Sequence, residues 1–204
     1  GHPIRFGQIA VKDAKFRTFI ADAAARREFY QHVYDVTYGL VRPDVDTLVV
    51  LDDSIVRGNT MKNAILPMLD RLGPKRIIVA SSAPPICYPD CYGIDMSTLG
   101  ELIAFKALVN LAGESALREK DAVRQLYARY SQKDLSAEIA RLITPPNMKA
   151  RVDVVFQTVD DLHACCPESA GDWYFTGNYP TAGGERVLRE ALANYLAHRS
   201  GRSY

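Results

Sequence analysis

The sequence predicts an α/β fold on a doubly wound parallel sheet, with helices added toward its carboxyl-terminal end. Two observations carry that expectation: apolar runs of strand length alternate with stretches of helical spacing, and glycine and proline fall at the changeovers. Leu48-Val49-Val50-Leu51 is an uninterrupted apolar run, which fits a strand buried on both faces of a parallel sheet. From Thr60 the pattern turns helical, with Ala64, Ile65, Met68, Leu69 and Leu72 on one stripe. Gly73-Pro74 breaks that helix, and Arg76 to Ser82 reads as a second buried strand. Ser97-Thr98 followed by Glu101 is a capping-box start for a helix to about Asn110. Glu114 to Tyr130 and Ser136 to Ile143 read as charged amphipathic helices ending at Pro145-Pro146. A short strand, Val152 to Phe156, leads to Thr158 as a helix cap, and Glu185 to Arg199 is the last helix. No internal repeat and no low-complexity linker interrupts the pattern.

Composition bounds the function classes. At 204 residues the chain is long enough for one α/β domain burying about 70% of its unfolded surface. With 25 basic against 24 acidic residues, bulk charge gives no reason to expect nucleic-acid binding. No apolar stretch approaches the roughly 18 residues of a spanning helix, and the amino end lacks a basic region followed by an apolar core; a cytoplasmic protein is expected.

The chemistry concentrates in Asp52-Asp53-Ser54-Ile55-Val56-Arg57-Gly58-Asn59-Thr60, which lies between the first strand's carboxyl end and a helix's amino end. There the first helical N–H groups lack internal partners and the dipole favours negative charge, so the turn suits a phosphate. Gly58 lets the backbone approach an anion closely, and Ser54, Asn59 and Thr60 can add side-chain hydrogen bonds. Successive residues of a strand point to opposite faces, so Asp52 and Asp53 can serve one ligand only where the chain is already turning. One carboxylate can then accept from a cis-diol while its neighbour orients the loop or holds magnesium, directly or through water. A bare Asp-Asp would read as an acidic cap of the following helix. Strand, doublet and anion turn together read as a sugar-phosphate cradle.

At these residues the chain resembles the phosphoribosyltransferases, and the wording Asp-Asp-Ser-Ile-Val-Arg-Gly is similar to that of the glutamine amidophosphoribosyltransferase family. Gly1-His2-Pro3 through Lys12, Arg17-Thr18-Phe19-Ile20, Ser81-Ser82-Ala83-Pro84-Pro85, Tyr92-Gly93-Ile94-Asp95, Glu101-Leu102-Ile103-Ala104 and Phe175-Thr176-Gly177-Asn178-Tyr179-Pro180 also resemble family segments, in the expected order. Residues 111–170 carry little of the likeness. The resemblance implies a type I phosphoribosyltransferase sheet, with residues 1–110 as a core lacking its first strand and pyrophosphate turn. Residues 111–204 would be a mostly helical extension packed on the same domain.

The resemblance further implies magnesium-dependent binding of phosphoribosyl pyrophosphate, with Asp52 and Asp53 as catalytic and metal-holding carboxylates. Ser54, Ile55, Val56, Arg57, Gly58, Asn59 and Thr60 would hold the 5-phosphate. Lys12 stands where the family has a substrate-contacting lysine, and Arg17 precedes a mobile lid, Ala21 to Tyr38. Lys15, Arg26 and Arg27 add basic residues around it, but His32 and Val33 occupy the place of a further family lysine. Transfer of phosphoribose to ammonia would give 5-phosphoribosylamine in purine synthesis, in a homo-oligomer whose amino-terminal glutaminase domain lies upstream. The chain then reads as a fragment of a longer polypeptide, inactive alone. Some family members carry an iron-sulfur cluster on four cysteines. Here one pair, Cys87 and Cys91, is separated by three residues and the other, Cys165-Cys166, is adjacent, while Gly171-Asp172-Trp173-Tyr174 stands where the family's Cys-x-x-Cys would be; no cluster is expected. Two other functions remain open on the residues alone: a regulator that binds phosphoribosyl pyrophosphate without chemistry, and a paralogue using another nucleophile.

Overall fold

The computed structural model describes residues 4–7, 9–12, 34–92, 96, 98–119, 121–168 and 171–199. The chain divides into two compact units, one of residues 1–48, 59–77 and 143–152, the other of 49–58, 78–142 and 153–204.

In the first unit, strands β1 (Ala10–Lys12) and β2 (Tyr34–Val36) pair antiparallel, Ala10 opposite Val36 and Lys12 opposite Tyr34. This ribbon takes up the last part of the segment that reads as a lid. Residues 21–33 of that segment, with Arg26, Arg27, His32 and Val33, lie outside the described residues, as do Lys15 and Arg17 before it. Downstream, Asp46 gathers three donors: Arg42 through its backbone N–H at 2.8 Å and its guanidinium at 2.8 and 3.0 Å, and the guanidinium of Arg5. The Arg42 hydrogen bonds, with Arg5 adding another, hold the Asp46 carboxyl down to about 2.

Strands β3 (Thr47–Asp52), β4 (Arg76–Ser81) and β5 (Arg151–Phe156) form one sheet in that order. The bonds from Lys75 N–H to the Asp46 carbonyl and from Ser82 N–H to the Asp52 carbonyl advance in the same sense along both chains. Those from Arg151 to Lys75 and from Gln157 to Ser81 do likewise, so the sheet is parallel, as the strand-helix alternation predicts. The expectation for β3 fails in one respect. Leu48 is buried, but Val49 and Leu51 are 62% and 79% exposed. Among the described residues no packed layer covers the face of β3 that carries Val49 and Leu51, so those alternate side chains face solvent while Leu48 on the other face is buried.

After β3 a helical turn over Met61–Ile65, wider than an α-turn, runs into α1 (Leu66–Asp70). Pro67 lies in the first turn of α1 and brings no N–H to the ladder, which accounts for the widened turn before it. Met61, Ala64, Leu66, Leu69 and Leu72 are the buried stripe. The Asp70 carboxylate then accepts from the backbone N–H groups of Lys149 and Ala150, tying the helix end to the approach of β5.

In the second unit a 3₁₀ turn, Leu99–Glu101, precedes α2 (Ile103–Ala112), in which Ala104, Phe105, Ala107 and Leu108 are wholly buried. The capping box read at Ser97, Thr98 and Glu101 is not what starts this helix. Ser97 is outside the described residues, Thr98 makes no side-chain cap, and the α-helix begins after Leu102. Another 3₁₀ turn, Glu114–Arg118, leads to α3 (Ala122–Arg129) and α4 (Gln132–Ile143). Helix α4 starts four residues before the expected Ser136 because Ser131 and Asp134 form the capping box: the Ser131 hydroxyl accepts from Asp134 N–H at 3.1 Å, and the Asp134 carboxylate accepts from Ser131 N–H at 3.2 Å. Thr158 caps α5 (Val159–Cys165) through Asp161 N–H at 3.0 Å, and Thr181 caps α7 (Ala182–Leu196), which follows the short α6 (Trp173–Thr176). Among the described residues no helix is long and apolar enough to cross a membrane.

Candidate functional site

The candidate site is built where β3 ends. The carbonyls of Asp52 and Asp53 accept from the N–H groups of Ser82 and Ala83 at 2.9 and 3.0 Å, and the Ser82 hydroxyl lies 3.3 Å from both carbonyls. Ser81, buried, donates its hydroxyl to the Ala83 carbonyl at 2.8 Å. The acidic doublet therefore sits on a backbone fixed by the strand beside it, and its side chains are placed without help from a ligand.

The two carboxylates differ in environment. Asp52 is half-buried and Asp53 exposed. Each accepts the N–H of the residue after it, Asp53 N–H to Asp52 Oδ1 at 3.0 Å and Ser54 N–H to Asp53 Oδ1 at 2.6 Å. Burial, and to a lesser degree the neighbouring Asp53 charge, pushes the Asp52 carboxyl above its ordinary range. A carboxylate offers about four lone-pair sites, so both retain capacity for a pair of hydroxyls or for a hard cation.

Ile55 is 3% exposed, an apolar anchor whose side chain enters the core; any contact it makes to an anion is through its backbone. The Val56 carbonyl accepts from Ile103 N–H at 2.8 Å. Arg57 donates from Nε to Glu101 at 2.8 Å. Gly58 has φ +75°, the left-handed region where a side chain is strained, so the reversal into the helix needs glycine here. Asn59 and Thr60 are exposed at the start of the helical stretch, and Thr60 makes no side-chain cap. Of the more distant residues, Lys12 is the last residue of β1, and Arg17 lies outside the described residues.

Sequence reasoning missed Glu101, Ser81 and Ser82 as parts of this site. The serines stand at the carboxyl end of an apolar strand, Ser81 as its last residue, a position that in a parallel sheet adjoins the neighbouring strand's carboxyl end, so their place is a signal in the sequence. Glu101 had no such local signal.

Two adjacent carboxylates offer the oxygen donors that a hard divalent ion such as magnesium takes, with several water or substrate oxygens completing its shell. Among the described residues no three His, Cys, Asp or Glu side chains group to hold a metal, so the doublet would be the protein's share of the ligands. Of the cysteines, Cys87 is buried, with its thiol pushed up to about 12 by burial, Cys91 is half-buried, and Cys165 and Cys166 are exposed at the end of α5.

No family model matches the chain. Among curated proteins, an amidophosphoribosyltransferase of Staphylococcus epidermidis is 31% identical over 188 residues, covering 91% of this chain and 31% of that protein. One of Pasteurella multocida is 52% identical over 58 residues, which are 28% of this chain and 11% of its own. A solved structure described as the allosteric regulatory enzyme of purine biosynthesis superposes with a TM-score of 0.51 at 29% identity, covering 84% of this chain and 31% of that one. The chain thus spans about a third or less of the length of the relatives it matches. With the parallel sheet and the acidic doublet on a turn at its carboxyl end, these likenesses show that the chain belongs to the amidophosphoribosyltransferase family.

Proposed function

We propose that the chain carries the phosphoribosyl-transfer part of an amidophosphoribosyltransferase, binding phosphoribosyl pyrophosphate at the carboxyl end of β3 and passing phosphoribose to ammonia. The observation that supports this reading most is the backbone of Asp52 and Asp53, pinned at 2.9 and 3.0 Å to the end of β4 and followed within five residues by a left-handed Gly58. Asp53, exposed, accepts the two ribose hydroxyls, and Asp52, half-buried, orients the turn. The N–H groups from Ser54 to Thr60 and the Ser54, Asn59 and Thr60 side chains receive the 5-phosphate. Lys12 and Arg17 are assigned to the pyrophosphate by resemblance.

As the bond between C1 and pyrophosphate breaks, positive charge spreads over the ribose ring, and the paired carboxylates would help to balance it. Magnesium, held by Asp52 and Asp53 with water and substrate oxygens, would neutralise the leaving pyrophosphate. Ammonia then forms the C1–N bond as the C1–pyrophosphate bond breaks, and loss of one proton to the released pyrophosphate or to water gives 5-phosphoribosylamine; the protein contributes position more than covalent chemistry. A glutaminase domain would supply the ammonia, in a cytoplasmic homo-oligomer.

Calorimetric titration with ribose 5-phosphate tests the reading. Asp53→Asn keeps the shape but loses the charge, and the bonds it weakens are of the charge-assisted kind, so affinity is expected to fall about tenfold or more. The melting temperature should stay within about 2 °C, because the residue is exposed. Equal affinity in the two proteins would remove the diol from Asp53.

A further inference from the structure

We infer that Glu101 is a positioning residue for the 5-phosphate turn, and that Arg57 serves the site by being held by Glu101 and not by reaching the phosphate; this rests on the ribose-phosphate reading above. Glu101 belongs to a 3₁₀ turn that has little freedom to move. Leu99 and Leu102, on either side of it, are each 1% exposed. Successive N–H bonds, Glu101 to Thr98 at 3.0 Å and Leu102 to Leu99 at 3.1 Å, close the turn. Its Gly100 lies against the ring of Tyr195 so closely that a Cβ there would come within 2.9 Å of Cδ2. Glu101 is therefore the fixed partner.

The other partner is the turn after Asp53. Its side of the connection consists of two adjacent residues: the Val56 carbonyl, accepting from Ile103 N–H at 2.8 Å, and Arg57, donating to Glu101 at 2.8 Å. The backbone bond turns the Val56 carbonyl dipole toward α2, away from an anion in the turn. The ion pair does the same for the residue next to left-handed Gly58, whose neighbours set the course of the chain into the helix. Electrostatics supports the division of labour. A carboxylate 2.8 Å from a guanidinium cancels much of its field beyond the pair, so Arg57 offers a bound phosphate less charge than its type suggests. With Arg57 one-third exposed and Glu101 about half exposed, stability gains little from the pair, and its value is in geometry.

The two roles for Arg57 predict opposite results. A positioning pair means that Glu101→Ala weakens ribose 5-phosphate about tenfold by calorimetry, Arg57→Ala weakens it at least as much because Arg57 has a further contact, and the double variant is no worse than Arg57→Ala alone, since the shared interaction is lost only once. Glu101→Gln, which still offers an oxygen to Nε, recovers most of the affinity. In turnover of phosphoribosyl pyrophosphate by the complete polypeptide, Glu101→Ala raises KM more than it lowers kcat. Were Arg57 a phosphate ligand, Glu101→Ala would release it and affinity would rise; unchanged or tighter binding overturns the inference. Melts of all four proteins identify any variant that fails to fold, and Glu101→Gln, the least disruptive, then decides by comparison with Arg57→Ala. Failure of the unmodified chain to bind ribose 5-phosphate at all is a different result: it removes the reading of the site, and the role of the pair with it.

Discussion

Tyr174 donates its hydroxyl to Asp90 at 2.6 Å, joining residues 84 positions apart, and Asp90 is wholly buried. The same carboxylate accepts from Tyr92 N–H at 2.9 Å, while the Tyr174 carbonyl accepts from both Cys87 and Tyr88 N–H at 2.8 and 3.0 Å. Nearby, the Tyr179 hydroxyl donates to the Pro89 carbonyl at 2.6 Å. The segment after α5 is thereby stitched to residues 87–92 by side chain and backbone together. These bonds act far from the acidic doublet in sequence, yet they secure the residues that follow Ser81 and Ser82, on which the doublet's backbone is fixed.

Removing the Tyr174 hydroxyl tests that stitching. Tyr174→Phe leaves a buried carboxylate short of a donor, a loss of about 1–3 kcal/mol. For a chain of this size that lowers the melting temperature by about 2–10 °C. A thermal melt of the two proteins measures it, and a melt equal to the unmodified chain's would show the bond to be replaced by solvent.

Gly177 ends α6 at φ +74°, and a Cβ there would come within 2.7–2.8 Å of the Tyr88 ring, itself 3% exposed. Gly177→Ala therefore meets both backbone strain and a ring with no room to retreat, at a combined cost of about 2–4 kcal/mol. The expected outcome is a lower denaturation midpoint in urea with an unchanged slope. Arg124, which donates to the Gly177 carbonyl at 2.6 Å, provides a milder comparison through Arg124→Met.

The Asp46 hub makes stability depend on acid. Its carboxyl lies near 2 in the folded chain against an ordinary 3.8, so its contribution is fully present above about pH 4 and is lost as pH falls toward 2. Asp46→Asn should melt below the unmodified chain at neutral pH, and the gap should close between pH 4 and 2. A gap that stays constant across that window would mean that the Arg42 and Arg5 bonds owe nothing to the charge.

Charge at the ribose is the subject of the remaining expectations. Asp53→Asn loses affinity for ribose 5-phosphate without loss of fold, whereas Glu101→Ala loses it through a residue that touches no ligand. Measured side by side in one titration series, the two variants separate direct recognition from positioning, and only the second is restored by its amide.

The sequence by itself determined what local chemistry can determine. An apolar run ending in Asp52-Asp53 and a glycine turn specify a strand, a reversal and a helix start, because each depends on residues within a few positions of one another. The Thr158 cap was legible for the same reason, its acceptor lying three residues from its donor. The capping box of Ser131 and Asp134 is equally local, three residues apart, and places the helix start ahead of the expected Ser136. Tertiary structure decided what depends on neighbours distant in the chain. Four apolar residues in a row cannot say whether a second layer covers them, and Val49 and Leu51 are exposed because coverage belongs to the partner layer and not to the strand. Glu101 reads as a capping residue until Arg57, 44 positions away, is brought within 2.8 Å of it. An ion pair's partner is chosen by the path of the whole chain, and no pattern within either segment records it.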